Sequence, residues 1–350
     1  MSRSKIVRSA APQAALVALL SLLTACGGGG GGAADPTPGP VGPVAVQLVV
    51  TPSNQQAVAA EAVQIAGEGT SVADLGGSLV TGAQVSGGAA LPGPVAIAGV
   101  ARKMLAMAPR TPALATGVTQ TETVACSGGG TVTVTASGSG SANAVPGDAL
   151  SLSASGCVED FGGGNARLNG HLTLTITAGS FDSVSSTYPK DVTLRMQASS
   201  LSLANVLLDG ALDLHLVQSD SVRAAVTMTS PSFSWKVTAV STPRTLTLKN
   251  YSHRVETFSF DGARIQISAT VESDNPSLGT ALTTYDIGTP EAVVVNPFAN
   301  GMLLSGSMKV TGKGSALLMT VTGNDTLQLQ VDTNGDGTYD TSRSLSRLQL

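Results

Sequence analysis

Aromatic residues make up only 3% of this chain, and Trp235 is the sole tryptophan. That scarcity excludes the stacking platforms that grip single-stranded nucleic acid, and it leaves sugar recognition by ring stacking equally undersupplied. Charge is scarce too: charged side chains are 12% of the residues and the formal net charge is −4. There is no basic footprint for nucleic acid. No apolar stretch of membrane-spanning length follows the first 25 residues. The sequence has no G-x-S-x-G elbow, no H-E-x-x-H helix and no G-x-x-x-x-G-K-[ST] loop, so the common hydrolase, zinc-protease and phosphate-loop signatures are missing. Only three cysteines and three histidines are present.

What is there begins at the N-terminus. Arg3, Lys5 and Arg8 form a positive start, and Ala10 to Leu23 is apolar apart from Gln13 and Ser21. The run falls short of the ~20 residues a spanning helix needs and has the layout of a secretory signal. It closes on Leu23-Thr24-Ala25-Cys26. All four positions resemble the lipobox of bacterial lipoproteins; the alternative is an ordinary signal peptide with a chance cysteine. The resemblance implies that residues 1–25 are a lipoprotein signal peptide cut before Cys26. It also implies that the Cys26 sulfur carries diacylglycerol and that its new amine carries an acyl chain such as palmitate. Gly27 in place of aspartate implies sorting to the outer membrane, on its periplasmic or its surface face. Several acyl chains, each gaining about 0.8 kcal/mol per buried methylene, meet the requirement for stable attachment.

Residues 26–43 cannot build a core. Gly27 to Gly32 is a flexible coil and the Pro-rich stretch up to Pro43 is extended and stiffer. They read as a tether between the lipidated cysteine and a folded body. Beyond it, about 300 residues suffice for one large or two modest domains.

With Cys26 committed to lipid, Cys126 and Cys157 remain as an even pair. In an oxidising compartment their default is a disulfide. A metal role asks for further ligands, and between them stands Asp148 but no histidine. A disulfide closing a loop of about 31 residues stabilises by roughly 3.5 kcal/mol in the chain-entropy description.

Residues 44–125 read as a partly helical segment. Ser53-Asn54-Gln55-Gln56 has the S-x-x-Q form of a capping box, followed by Ala57 to Ala66 and a stop at Gly67. A second helix is expected after Pro92, with Ile97, Val100, Ala101, Met104 and Leu105 on one stripe before Pro109. Arg102 and Lys103 lie off that stripe.

From Cys126 to residue 350 the period changes to two, which predicts an antiparallel β domain. Thr131 to Thr135 and Leu172 to Ile176 alternate cleanly. Four copies of a turn dipeptide with an alternating strand recur: Asn169-Gly170, Asp209-Gly210, Asp261-Gly262 and Ser305-Gly306. Their starts lie 40, 52 and 44 residues apart, too uneven for a solenoid or propeller. The dipeptides predict hairpin turns in a long meander, with further strands near Val192 to Leu203, Val222 to Met228, Thr245 to Leu248 and Leu317 to Val321. Leu172, Leu174, Ile176, Leu212, Leu214, Leu216, Ile265 and Ile267 would form its dry face. So long a sheet must curl to bury that face. The expected fold is mainly β: an antiparallel meander forming a curved half-barrel or sandwich, with a short N-terminal helical segment. The C-x-G-G-G start, the later Gly-Asp and Cys157 also resemble uncharacterised β-rich outer-membrane lipoproteins of proteobacteria, a likeness that brings no activity with it.

Two sets of side chains carry candidate chemistry. His171 and His215 sit on the polar face of two repeat copies, with Asp213 beside His215, but no nucleophile partner is apparent. The sequence Asp332-Thr333-Asn334-Gly335-Asp336-Gly337-Thr338-Tyr339-Asp340 places oxygens at positions 1, 3, 5 and 9, with the Thr338 carbonyl at 7. This donor set suits Ca2+, and the nine-residue form is similar to calcium loops in integrin-like repeats. The EF-hand acid is missing, because Arg343 occupies position 12. The alternative is a solvated turn. For the whole chain the leading expectation is a non-enzymatic lipoprotein acting in binding or envelope structure, with a protein or lipid ligand left unspecified. A periplasmic carrier of lipid or another apolar ligand comes second, and an unrecognised hydrolase third.

Overall fold

The computed structural model describes residues 44–67, 100, 119–139, 145–160, 165–180, 188–220, 222–237, 244–259, 262–296, 302–323 and 325–349. The signal sequence, Cys26 and the tether lie outside them. So does the second expected helix, except for Val100, which is helical and buried.

The chain is mainly β. Strand β1 (Val46–Gln47) precedes helix α1 (residues 55–67), and a meander follows. Its first strands are β2 (Thr119–Ala125), β3 (Thr131–Ser137), β4 (Ala149–Asp160), β5 (Asn165–Gly179) and β6 (Lys190–Leu203). Next come β7 (Val206–Gln218), β8 (Ala224–Val237), β9 (Arg244–Ser259), β10 (Gly262–Ser273) and β11 (Thr283–Asn296). It ends with β12 (Met302–Gly312), β13 (Ser315–Gly323), β14 (Thr326–Asp332) and β15 (Thr341–Ser346), then a short 3-10 turn, Arg347–Gln349. From β2 to β15 every strand pairs antiparallel with the next, and the sheet does not close into a barrel. Among the described residues the meander already includes Thr119–Ala125, ahead of the expected start at Cys126, because this segment pairs with β3 in unbroken register.

β1 is the exception to the antiparallel order. It runs parallel to β11, with Val46 opposite Thr283. The β12–β13 turn lies against it: the Lys313 N–H donates to the Leu48 carbonyl at 2.7 Å. This brings α1 onto the apolar side of the sheet. Val58, Ala59, Ala62, Ile65 and Ala66 join one continuous core with the inward side chains of the strands. The side of the helix that meets the strands is built from small and apolar residues, as a packed helical face requires. All eight residues expected on the dry face are buried.

The helix begins as expected in kind but with different residues. The Thr51 N–H donates to Asn54 Oδ1 at 2.9 Å and the Asn54 N–H to Thr51 Oγ1 at 3.4 Å. The reciprocal box is therefore Thr51-x-x-Asn54, two positions earlier than the Ser53-x-x-Gln56 reading. The Ser53 hydroxyl pairs with that of Thr51, and Gln56 Nε2 donates to the Gln349 carbonyl. Gly67 is the last described residue of the helix.

Three of the four repeated dipeptides do not make hairpin turns. Asn169-Gly170 lies within β5, Asp209-Gly210 within β7 and Ser305-Gly306 within β12. Their glycines have φ of +95°, +121° and +106° and sit at shifts in strand register. These are β-bulges, which use the same left-handed glycine as a tight turn. A Cβ at Gly170 would stand 2.2 Å from the Ser200 carbonyl oxygen. Of the fourth dipeptide, Gly262 is the first residue of β10 and pairs with Ser259 at the end of β9, and Asp261 lies outside the described residues.

The bulges form a seam across the sheet. On β4 the buried positions change parity after Ala154, on β6 after Ala198, on β8 after Ser230 and on β9 after Leu248. Gly156, Ser200, Pro231 and Asn250 lie at the changes, and adjacent strands carry their irregularities at facing positions. Each extra residue bends its strand and increases its twist. Repeated side by side, the bends fold the long sheet over its own apolar face. Among the described residues, Ala204-Asn205 joins β6 to β7 and Lys313-Gly314 joins β12 to β13 as two-residue hairpins.

Candidate functional site

Where α1 meets the ends of β9 and β10, the core turns polar. Glu61 is only 5% exposed. Its carboxylate accepts from Ser273 Oγ at 2.6 Å on one oxygen and from Asn275 Nδ2 at 3.1 Å on the other. Burial pushes its pKa above the ordinary glutamate range; these two hydrogen bonds and the Arg244 charge oppose the shift without cancelling it. Arg244 Nη2 donates to Gln64 Oε1 at 3.2 Å. Tyr285 is buried nearby, and burial together with the Glu61 charge pushes its phenol well above the usual range.

A cleft of about 710 Å3 opens beside this cluster. It is lined by Gln56, Ala60, Glu61 and Gln64 of α1 and by Arg244 and Asn275 across from them, among others. The walls are mostly polar. A buried carboxylate with a displaced pKa in a cleft makes this a candidate site.

Neither Glu61 nor Arg244 was identified from sequence, yet the signal for Glu61 is readable. It stands three residues after Val58 and four before Ile65, inside the apolar stripe of α1, where a carboxylate is out of place. His253, one of the three histidines of the sequence, is a further buried ionisable group. It is fully enclosed, stacked on Tyr251 at 6.1 Å, and burial pushes its pKa down to about 4.

The residues named from sequence fall elsewhere. Cys126 and Cys157 form a disulfide joining the β2–β3 loop to β4. His171 pairs with Ser199 on β6, whereas His215 pairs with Thr193 on the same strand, so the two histidines are separated along β6 rather than adjacent. His215 Nε2 instead contacts Asp191 Oδ1 at 2.9 Å, and Asp213 faces Arg195 at 3.9 Å. These are exposed or half-exposed pairs of the outer face.

The 332–340 loop is closed by its own side chains. Asp332 accepts from the backbone N–H groups of Asn334, Gly335 and Gly337. Asn334 accepts from Asp336, Asp336 from Thr338, and Asp340 from Thr333. Burial raises the Asp332 pKa, and the three N–H groups outweigh it, leaving the carboxyl below its ordinary range. Among the described residues, no group of three or more His, Cys, Asp or Glu side chains is placed to hold a metal ion. The oxygens are the hard donors that Ca2+ takes, but each carboxylate already serves the loop's own backbone. Asp332→Ala is therefore expected to lower the melting temperature by several degrees in the presence of a chelator. A rise in the wild-type melting temperature on adding millimolar Ca2+, absent in Asp336→Ala, would assign the loop a cation as well.

No family model, curated protein or solved structure matches the chain. Among the described residues no helix is long and apolar enough to cross a membrane.

Proposed function

We propose that this chain is an outer-membrane-anchored lipoprotein whose β domain acts by binding or in envelope structure, not by catalysis. The anchor reading rests on Leu23-Thr24-Ala25-Cys26 and on the glycine- and proline-rich tether that follows. One structural observation favours it over the carrier of apolar ligands. The concave apolar face that a lipid would need is filled by α1 and the inward side chains of the strands as one core, and the cleft beside it has polar walls. Pockets for apolar ligands are lined mainly by hydrophobic and aromatic side chains.

The test uses the full-length chain in a Gram-negative host fed an alkyne analogue of palmitate. The wild type should take up label and fractionate with the outer membrane, and Cys26→Ala should lose both label and membrane association. An unlabelled wild type recovered in the soluble periplasm would overturn the anchor reading. Native mass spectrometry of the detergent-released protein addresses the carrier. A stoichiometric lipid that persists in Cys26→Ala would be bound cargo, not anchor, and would favour the carrier.

A further inference from the structure

The cleft beside α1 is lined by side chains of opposite charge that make no direct salt bridge with each other. Glu61 stands on the helix side and Arg244 at the start of β9. They form no ion pair: Glu61 takes its hydrogen bonds from Ser273 and Asn275, and Arg244 gives one to Gln64. A carboxylate so deeply buried costs stability unless a cation compensates it. Each of its oxygens accepts one described hydrogen bond and has a further lone pair. Arg244 has five N–H donors in a fixed fork, a shape suited to a carboxylate.

Small residues line the cleft beside the two charged side chains. On the helix wall Ala57 and Ala60 lie between Gln56 and the Glu61–Gln64 turn. Ser53 and Ser277 stand at the rim, both exposed. The volume is within the range of small-molecule sites, roughly 300–1,000 Å3. Trp235 packs below the cleft and is itself buried, so no ring is presented for stacking on a sugar.

We infer that this cleft binds a small zwitterion, an amino acid or a short peptide, with its ammonium at Glu61 and its carboxylate at Arg244. The ligand completes the ion pairing that the fold leaves open. An anion alone adds a further negative charge near a carboxylate that already feels Asp274 and is compensated by Arg244 only in part. A cation alone leaves the Arg244 fork unfilled. The inference gives a ligand class to the binding reading above, but it does not depend on the anchor. Failure of the labelling experiment would leave the cleft untouched, and failure of zwitterion binding would leave the anchor standing.

Isothermal titration of the purified full-length protein in detergent tests it, with glycine, L-alanine and glycylglycine as zwitterions and acetate and ethylamine as single-charge probes. The zwitterions should bind saturably and at least about tenfold more tightly than either single-charge probe, a difference of ~1.4 kcal/mol. Glu61→Gln and Arg244→Gln should each weaken binding by at least that factor. Ala60→Leu, which fills the cleft and keeps both charges, should abolish binding while circular dichroism and melting temperature stay unchanged. That variant separates occupancy of the cleft from damage to the fold. No saturation by any zwitterion up to about 10 mM, equal affinity for acetate and glycine, or undiminished binding in Ala60→Leu would each overturn the assignment.

Discussion

Cys126→Ser is expected to lower the stability of the oxidised protein by about 3.5 kcal/mol. The staple spans 31 residues of sequence, and the loss arises from the loop-closure entropy regained by the unfolded chain. In a domain of this size ~1 kcal/mol moves the melting temperature by roughly 2 °C, so a fall of about 7 °C should be visible. The location makes a local effect likewise measurable. Among the described strands β2 stands at the end of the sheet order, next to β3, and it is exposed at most of its positions. Besides the disulfide, two backbone hydrogen bonds, Gly128 to Val158 and Val158 to Gly129, tie its loop to β4. The glycines of that loop serve this contact: a Cβ at Gly130 would lie 2.1 Å from the Gly156 carbonyl oxygen. Once the staple is cut, amide exchange should accelerate in residues 119–137 more than in β9 or β10. Equal melting temperatures for Cys126→Ser and wild type would show that the bond adds nothing to these backbone contacts.

The alternation that made the strands legible in the sequence is local, and it was enough for the class of fold and its dry face, while the disulfide pair followed from the even cysteine count in a chain read as exported. Legibility stopped at the bulges. Asn-Gly and Asp-Gly provide a left-handed residue, and a bulge needs one as much as a hairpin does. Dipeptide chemistry alone does not separate the two; the partner strand does. Pro231 and the Gly288 and Pro290 pair read as breaks, although each lies inside a strand, β8 or β11, at an irregularity that tolerates them. For this reason β11 went unrecognised and β8 was placed only in part. The same parity change hid His253. Leu246 and Leu248 point inward at even positions, and Tyr251, His253 and Val255 at odd ones, after Asn250 with its φ of +50°. Counting by twos from Leu248 puts His253 on the wet face. The cleft is less legible still, because α1 meets Arg244 and Asn275 only through tertiary packing, and its one local trace is a glutamate in an apolar helical stripe.

Acid should destabilise the protein through His253, in a defined window. The imidazole is fully buried, and among the described residues neither ring nitrogen finds a partner of hydrogen-bond geometry. Desolvation pushes its pKa from 6.5 to about 4, with the nearby Ala66 backbone offsetting the shift only in part. Between these values the unfolded chain binds a proton that the folded protein refuses. Stability therefore rises with pH across the window. The contribution is fully present above pH 6.5, is lost progressively as pH falls, and is gone near pH 4, where the folded form also takes up the proton. The span of the shift corresponds to about 3 kcal/mol. Glu61 acts with the opposite sign. Its folded pKa is raised, so its protonated form favours the folded state, and that contribution fades as pH rises through the folded value. His253→Leu separates the two groups. It keeps an apolar side chain against Tyr251, removes two unpaired ring nitrogens, and near pH 7 should change stability by less than about 1.5 kcal/mol. Urea unfolding measured from pH 7 to pH 4 should show a falling midpoint in the wild type and a much flatter one in His253→Leu. Parallel curves for the two proteins would mean that the acid-sensitive group lies elsewhere.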